Sequence, residues 1–331
     1  MNIKTPCIVA LIFLPLCSFA QVYKQINDST HYRDSIYDHG VESRKLLNYK
    51  AAIDDYTKVI SIDPAYISAY INRGAVKDIL MDYTGALEDY EQAMLINPNR
   101  GDIYSNKGNT EEHIHKYKAA INDFDEALAL DSANTDVHFE QGTLETQDLA
   151  LYNAYYGKGN VESDLMNYKT ALADYSKAIA LEPAMPNAYS NRAAAKIAIN
   201  DNKGAIVDYT KAINFNPKSA DNYYNRGNAE VGINDDKSAL ADYNTAISLN
   251  NKIPGFYNNR GIVKADLKDY TGAIADYTKA ITQDPKFADA YCNRGVANYL
   301  QKNKFNACAD WKKAVDLGNP AAAGYIRQYC K

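Results

Sequence analysis

An acidic–aromatic pair recurs along this chain at a fixed interval. Asp55-Tyr56, Asp89-Tyr90, Asp123-Phe124, Asp174-Tyr175, Asp208-Tyr209, Asp242-Tyr243, Asp276-Tyr277 and Asp310-Trp311 lie 34 residues apart, with one gap of 51 between Phe124 and Tyr175. A period held over eight copies makes the chain an array of like units rather than one globular core. The stretch Pro254 to Phe287, PGFYNNRGIVKADLKDYTGAIADYTKAITQDPKF, shows the unit. Tyr257, Gly261, Lys264 and Ala265 keep one helical face, and Ala273, Ile274, Tyr277, Ala280 and Ile281 keep another. Lys268-Asp269 stands between the two patterns, and Asp284-Pro285 stops the second. Gly261, Ala273 and Ala280 let two backbones approach closely, while Tyr277 fills the space beside them. A single hairpin of this kind cannot bury its apolar face, so stacking on neighbours must supply the core. The pattern predicts an all-α solenoid of about eight helix-turn-helix repeats.

Tyr257, Gly261, Tyr270, Ala273, Tyr277, Ala280 and Pro285 stand at the offsets of the tetratricopeptide repeat (TPR) pattern, and the chain resembles that family over about 33–321. The resemblance implies a right-handed superhelix whose sixth repeat position lies on an inner, concave face. It also implies a scaffold for protein partners.

Residues 1–20, MNIKTPCIVALIFLPLCSFA, read as a signal peptide: Lys4 gives the basic start, Cys7 to Leu16 the apolar run, and Ser18-Phe19-Ala20 the cleavage site. The apolar run is too short for a comfortable transmembrane span. Leu16 stands where a lipoprotein signal needs a small residue, which argues against a lipid on Cys17. The mature protein is therefore expected outside the cytoplasm, in a periplasm or released, and the SFA ending resembles an exported bacterial type. Residues 21–32 read as a loose leader before repeats one to three at 33–134. The long gap is 34 plus 17, which places an extra half repeat at 135–151, expected as one long helix over about 135–165 or as a separate inserted helix. Repeats four to eight follow at 152–319, and Asn319-Pro320 opens a capping helix within 320–331.

Two sets of polar residues keep the period. Arg73, Lys107, Lys158, Arg192, Arg226, Arg260 and Arg294 each precede by sixteen residues the aspartates of the repeat. In an antiparallel hairpin the two positions come to equal height, so the sets predict a ladder of ion pairs that fixes register. As exposed pairs these would contribute about 0–1 kcal/mol each. One place earlier stand Asn72, Asn106, Asn191, Asn225, Asn259 and Asn293. On the concave face their amides could both donate to and accept from the backbone of an extended peptide; alternatively they satisfy neighbouring helices. The family's basic carboxylate clamp cannot be assembled from the second and fifth positions. Tyr156, Tyr224 and Tyr299 suit an uncharged or mildly basic segment.

A formal net charge of −5 lacks the basic stripe that a nucleic-acid surface needs. Cys308 and Cys330 lie about ten residues either side of the turn near Gly318-Asn319, which predicts a disulfide between antiparallel helices in an oxidising compartment. A metal site is disfavoured because no histidine accompanies the cysteines at ligand spacing, and no cofactor is implied. His113 and His115 read as surface residues. The acids recur with the period, and no nucleophile or phosphate-loop motif occurs, so an enzyme is not expected. The reading is a peptide-binding scaffold; the alternative is a structural spacer or self-associating envelope component with an idle groove.

Overall fold

The structure, a computed structural model, describes the backbone of residues 16–133 and 147–331, and the side chains of 30–130 and 148–331. The chain forms two compact units, Met1–Ala150 and Leu151–Lys331. In the first unit α1 (Leu16–Lys45) pairs with α2 (Tyr49–Ile62), α3 (Ile67–Ile79) with α4 (Tyr83–Ile96), and α5 (Gly101–His113) with α6 (Tyr117–Ala133). Helix α7 (Gln147–Asp164) opens at the division and lies mainly in the second unit. There it precedes α8 (Tyr168–Leu181), α9 (Pro186–Ala198), α10 (Asn202–Phe215), α11 (Ala220–Val231) and α12 (Asp236–Leu249). Then come α13 (Pro254–Asp266), α14 (Tyr270–Gln283), α15 (Ala288–Leu300), α16 (Lys304–Asp316) and α17 (Pro320–Tyr329). No strand occurs among the described residues, and each unit is a stack of helical hairpins, as expected of an all-α solenoid.

Two stretches differ from a plain repeat. Residues 21–32, read as a leader, are helical and continuous with the first repeat in α1. The segment QVYKQINDSTHY has no Gly or Pro to end a helix, and α1 runs through it. Of the extra half repeat at 135–151, residues 135–146 lie outside the described residues; 147–151 form the first turn and more of α7.

The turn inside each hairpin is one device used eight times. Leu47, Met81, His115, Met166, Asn200, Asn234, Lys268 and Lys302 all adopt left-handed backbone, with φ between 58 and 66°. At the second turn the Met81 N–H donates to the Asp78 carbonyl and the Asp82 N–H to the Lys77 carbonyl, both at 2.9 Å. This is the Schellman closure, which satisfies carbonyls that the end of a helix leaves open. The residue that closes one helix then caps the next: the Asp82, Asp201, Asp235 and Asp269 side chains accept from backbone N–H groups three residues on. The left-handed position usually takes Gly or Asn, so the sequence pattern Lys268-Asp269 marks the turn without revealing its geometry.

Between hairpins the ring of each acidic–aromatic pair fills the core. Tyr56, Tyr90, Phe124, Tyr175, Tyr209, Tyr243, Tyr277 and Trp311 are all at most 2 % exposed. Alanines three residues before the acidic partner, from Ala52 to Ala307, are fully buried as well. The glycine of the first helix is fixed by this ring: a Cβ on Gly261 would come 2.8 Å from Tyr277 Cε1, and one on Gly295 2.5 Å from Trp311 Nε1. Repeat five carries Ala193 at that position, in one buried cluster with Tyr209.

At the C-terminal end, Asn319 caps α17 by accepting from the Ala322 N–H (3.1 Å), and Pro320 occupies the first helical position. Trp311 stacks on Tyr325 with centroids 5.1 Å apart, and Tyr299 meets Tyr329 at 4.4 Å. The structure joins Cys308 of α16 to Cys330 beside α17, with Cα atoms 5.7 Å apart; Cys292 is buried and free.

Two outcomes follow. Gly295→Ala, placed against the rigid indole, should cost about 1–3 kcal/mol by urea denaturation, the range for an overpacked core. Cys308→Ser should lower stability by about 3 kcal/mol, the loop-closure value for a cross-link spanning 22 residues. Non-reducing mass spectrometry of oxidised protein checks that the bond is present.

Candidate binding face

The five arginines and Lys107 meet the aspartates of the repeat as predicted by their spacing. Arg73 donates twice to Asp89 (3.0 and 2.6 Å), Arg192 to Asp208 (2.8 and 2.7 Å), Arg226 to Asp242 (2.6 and 2.7 Å), Arg260 to Asp276 (2.9 and 2.6 Å) and Arg294 to Asp310 (3.0 and 2.7 Å). Lys107 reaches Asp123 at 2.5 Å. His39, which occupies the same position in the first repeat, meets Asp55 at 2.7 Å. This rung lies outside the Arg and Lys pattern of the sequence because histidine takes the basic place.

These pairs are not exposed, which corrects the expectation of a weak surface ladder. The aspartates, from Asp89 to Asp310 without Asp123, are 2–7 % exposed. Each arginine also reaches back to the preceding repeat: Arg73 to Thr57 (3.0 Å), Arg192 to Ser176 (3.0 Å), Arg226 to Thr210 (3.0 Å), Arg260 to Asn244 (2.7 Å) and Arg294 to Thr278 (3.1 Å). It covers a tyrosine three residues earlier as well, as Arg260 does Tyr257 at 5.7 Å. The guanidinium therefore ties two hairpins together. Hydrogen bonding to Asp208 and Asp242 raises the Arg192 and Arg226 pKa above the ordinary arginine value.

The asparagines of the sixth position are half-buried on the first helix of their hairpins. Most of their amide donors already have partners. Asn191 donates to Tyr156 Oη (3.0 Å) and Asn160 Oδ1 (2.9 Å), and Asn160 Oδ1 also accepts from the buried Tyr175 hydroxyl (3.0 Å). The arrangement repeats 68 residues on: Asn259 donates to Tyr224 Oη (2.8 Å) and Asn228 Oδ1 (2.9 Å), which accepts from Tyr243 (2.8 Å). Asn72 donates to Tyr37 (2.6 Å) and accepts from Arg44 (3.1 Å). Asn293 donates to Asn258 Oδ1 (3.1 Å), and Asn106 to its own helix at the Asp102 carbonyl (2.8 Å). Asn225 differs, because Ser190 stands where its neighbours have Tyr or Asn, and the Ser190 hydroxyl goes to Asn222 (2.8 Å). Among the described residues the Asn225 amide has no side-chain partner.

In the second unit the Asn191 and Asn259 amides are thus held in place by the bonds behind them, and the Asn225 amide is not. Tyr156 and Tyr224 are half-buried and locked by the same bonds; Tyr299 is more exposed, at the aromatic cluster with Tyr329. Burial raises the Tyr224 pKa, so it stays a neutral hydroxyl. His113 and His115 are exposed; His113 lies 3.1 Å from Asp78 and His115 2.8 Å from Tyr117. No group of three or more metal-ligating side chains occurs among the described residues, and none of their helices is long and apolar enough to cross a membrane.

Models described as TPR repeat match residues 195–232 and 263–302, and a tetratricopeptide repeat model matches 34–66, 152–185 and 220–253. The chain belongs to the tetratricopeptide repeat family. As a TPR protein it is similar in fold to solved structures. A tetratricopeptide repeat protein from Parabacteroides merdae is 16% identical with TM-score 0.51, over 80% of this chain and 98% of that one. PilF of Pseudomonas aeruginosa is 17% identical with TM-score 0.56, over 67% and 94%. PilW, described as a widely conserved type IV pilus biogenesis factor, is 19% identical with TM-score 0.56, over 66% and 93%. At these identities the likeness is one of fold. No protein with a curated description matches.

The buried rungs make a sharp prediction about TPR stability. Asp208→Ala leaves Arg192 and Lys196 facing each other without their carboxylate, which both contact at 2.7–2.8 Å. Equilibrium urea unfolding should show a loss of about 3–5 kcal/mol. In Arg192→Met/Asp208→Leu the loss should be clearly smaller than the sum of the single changes.

Proposed function

We propose that this TPR protein is an exported scaffold that holds extended protein segments on its sixth-position asparagines, Asn72 and Asn106 in the first unit and Asn191, Asn225, Asn259 and Asn293 in the second. TPR repeats support a protein-interaction scaffold; the finer reading rests on one observation. The asparagines are partly exposed, and all but Asn225 are held by internal bonds, so a bound strand would have little to order. The asparagine side chains hydrogen-bond peptide groups without regard to partner sequence, while Tyr156 and Tyr224 contribute flat apolar surface. The segment MNIKTPCIVALIFLPLCSFA supports export, with the mature chain starting at Gln21.

A second reading is favoured by the donors themselves. Asn72, Asn191, Asn259 and Asn293 already spend their N–H groups on the preceding hairpin, which suits a spacer or self-associating component whose groove is idle. Asn225 separates the two. It makes no internal bond, so Asn225→Ala should leave the melting temperature unchanged. On the scaffold reading, the same change weakens partner recovery from cross-linked envelope extract several-fold. Undiminished recovery would refute groove binding. Export is checked by N-terminal sequencing of protein from cell fractions, with Gln21 as the expected first residue.

A further inference from the structure

Two places in the array depart from the residues their sister repeats carry, and both face outward. The second residue of the second helix is lysine in five repeats and threonine in two, from Lys50 to Thr271, and all of these are exposed. In the eighth repeat it is Phe305, 84 % exposed, more than any other large apolar side chain among the described residues. The residue before it has changed as well. Five sister repeats hold a half-buried tyrosine there, such as Tyr49 and Tyr168, which pack on their cores, and the eighth holds the exposed Lys304. Aromatic and lysine have thus exchanged places, which takes a ring off the stack and turns it to solvent. Lys302 and Lys304 flank that ring, and Lys304 Nζ is held by the Lys331 carbonyl at 2.9 Å. An exposed ring between two cations adds nothing to the packing of its own repeat.

The second departure lies in the first unit. A groove of about 430 Å³ lies between the first turns of α4 and the turn after α5, and Met81, Leu87 and Ile114 give it an apolar lining. Three carboxylates, Asp82, Glu88 and Glu91, stand around it against one cation, Lys116. Glu88 and Glu91 are exposed and about one turn apart on α4. No other repeat has acids at both places, and repeats four to eight carry only Ala or Val at the first. The groove exceeds the roughly 150 Å³ of a cavity that admits benzene, so it has room for an aromatic side chain.

We infer that Phe305 of one copy of this chain seats in the groove of Met81, Leu87 and Ile114 of a second copy, where Lys302 and Lys304 meet Glu88 and Glu91. The charges complement each other, with two lysines beside the ring and an excess of carboxylates around the groove. A second copy is the partner present in equal amount wherever the chain occurs, and it carries both surfaces. A ring buried at the centre with charges at the rim is the arrangement that concentrates binding energy in an interface. One ring and one groove make a small contact, so the association is weak and reversible. It uses none of the sixth-position asparagines. It rests on the self-association of the second reading above and supplies the two surfaces for it.

Analytical ultracentrifugation of the chain from Gln21 onward tests this, at low salt and over about 1 µM to 1 mM. The wild type should gain mass with concentration. Phe305→Thr installs the residue that two sister repeats carry, and Glu88→Lys/Glu91→Lys reverses the rim. Each should weaken self-association about tenfold or more, with the melting temperature unchanged. Ring and groove are unlike surfaces, so the first variant still offers a groove and the second still offers a ring. An equimolar mixture of the two should therefore form a one-to-one complex and grow no further. A wild type that stays monomeric throughout overturns the contact and the self-association reading together. Association that persists undiminished in either variant overturns the contact and leaves self-association through other surfaces. A mixture of two folded variants that stays monomeric overturns the pairing of ring with groove.

Discussion

Everything in the stack depends on a carboxylate placed where water does not reach. The aspartate beside six of the eight core aromatics, from Asp89 to Asp310 without Asp123, is nearly fully buried, and burying an unpaired charge of that kind is costly. The repeat meets that cost with a guanidinium held from three directions: by the aspartate of its own hairpin, by a hydroxyl or amide of the hairpin before, and by a tyrosine face. A planar fork with five fixed donors can do this, whereas an ammonium cannot. That accounts for arginine in five of the rungs described, and for the helper residue four places on, which is free to vary between lysine, glutamate and others because the arginine has already set the geometry.

Much of the architecture was legible in the residues. Period, hairpin, closing proline and the sixteen-residue offset between basic residue and aspartate all came from counting, because each reflects a contact made at constant chain separation. The burial of those rungs was not legible: charge on a helix reads as surface until the neighbouring hairpin is placed over it. Nor was the left-handed turn residue, since Leu47, Met81 and Lys268 share no side-chain property, and the Schellman closure is made by backbone alone. The continuation of α1 through 21–32 was not legible, because a helix outside the repeat carries none of its period.

The asparagine row shows the limits of periodic reasoning more sharply. A residue that recurs at one position is under one constraint, but the period does not say whether that constraint faces outward or inward. The amides turn back to Tyr156, Asn160, Tyr224 and Asn228 of the hairpin before. The informative position is Asn225, where the residue is kept and the internal partner is not. Part of what set it apart was visible beforehand: Ser190 stands 35 residues before Asn225, where Asn191 and Asn259 have Tyr156 and Tyr224 and Asn293 has Asn258.

The arginine that reaches back does so to the adjacent hairpin and no further. Every tie across a seam is therefore made between one standard edge and another. Removing or duplicating a whole unit rejoins matching edges, while an insertion of any other length leaves two edges that do not fit. The array can thus change its length during evolution in whole steps at little structural cost. The one gap of 51 residues is the place where this chain has departed from that rule.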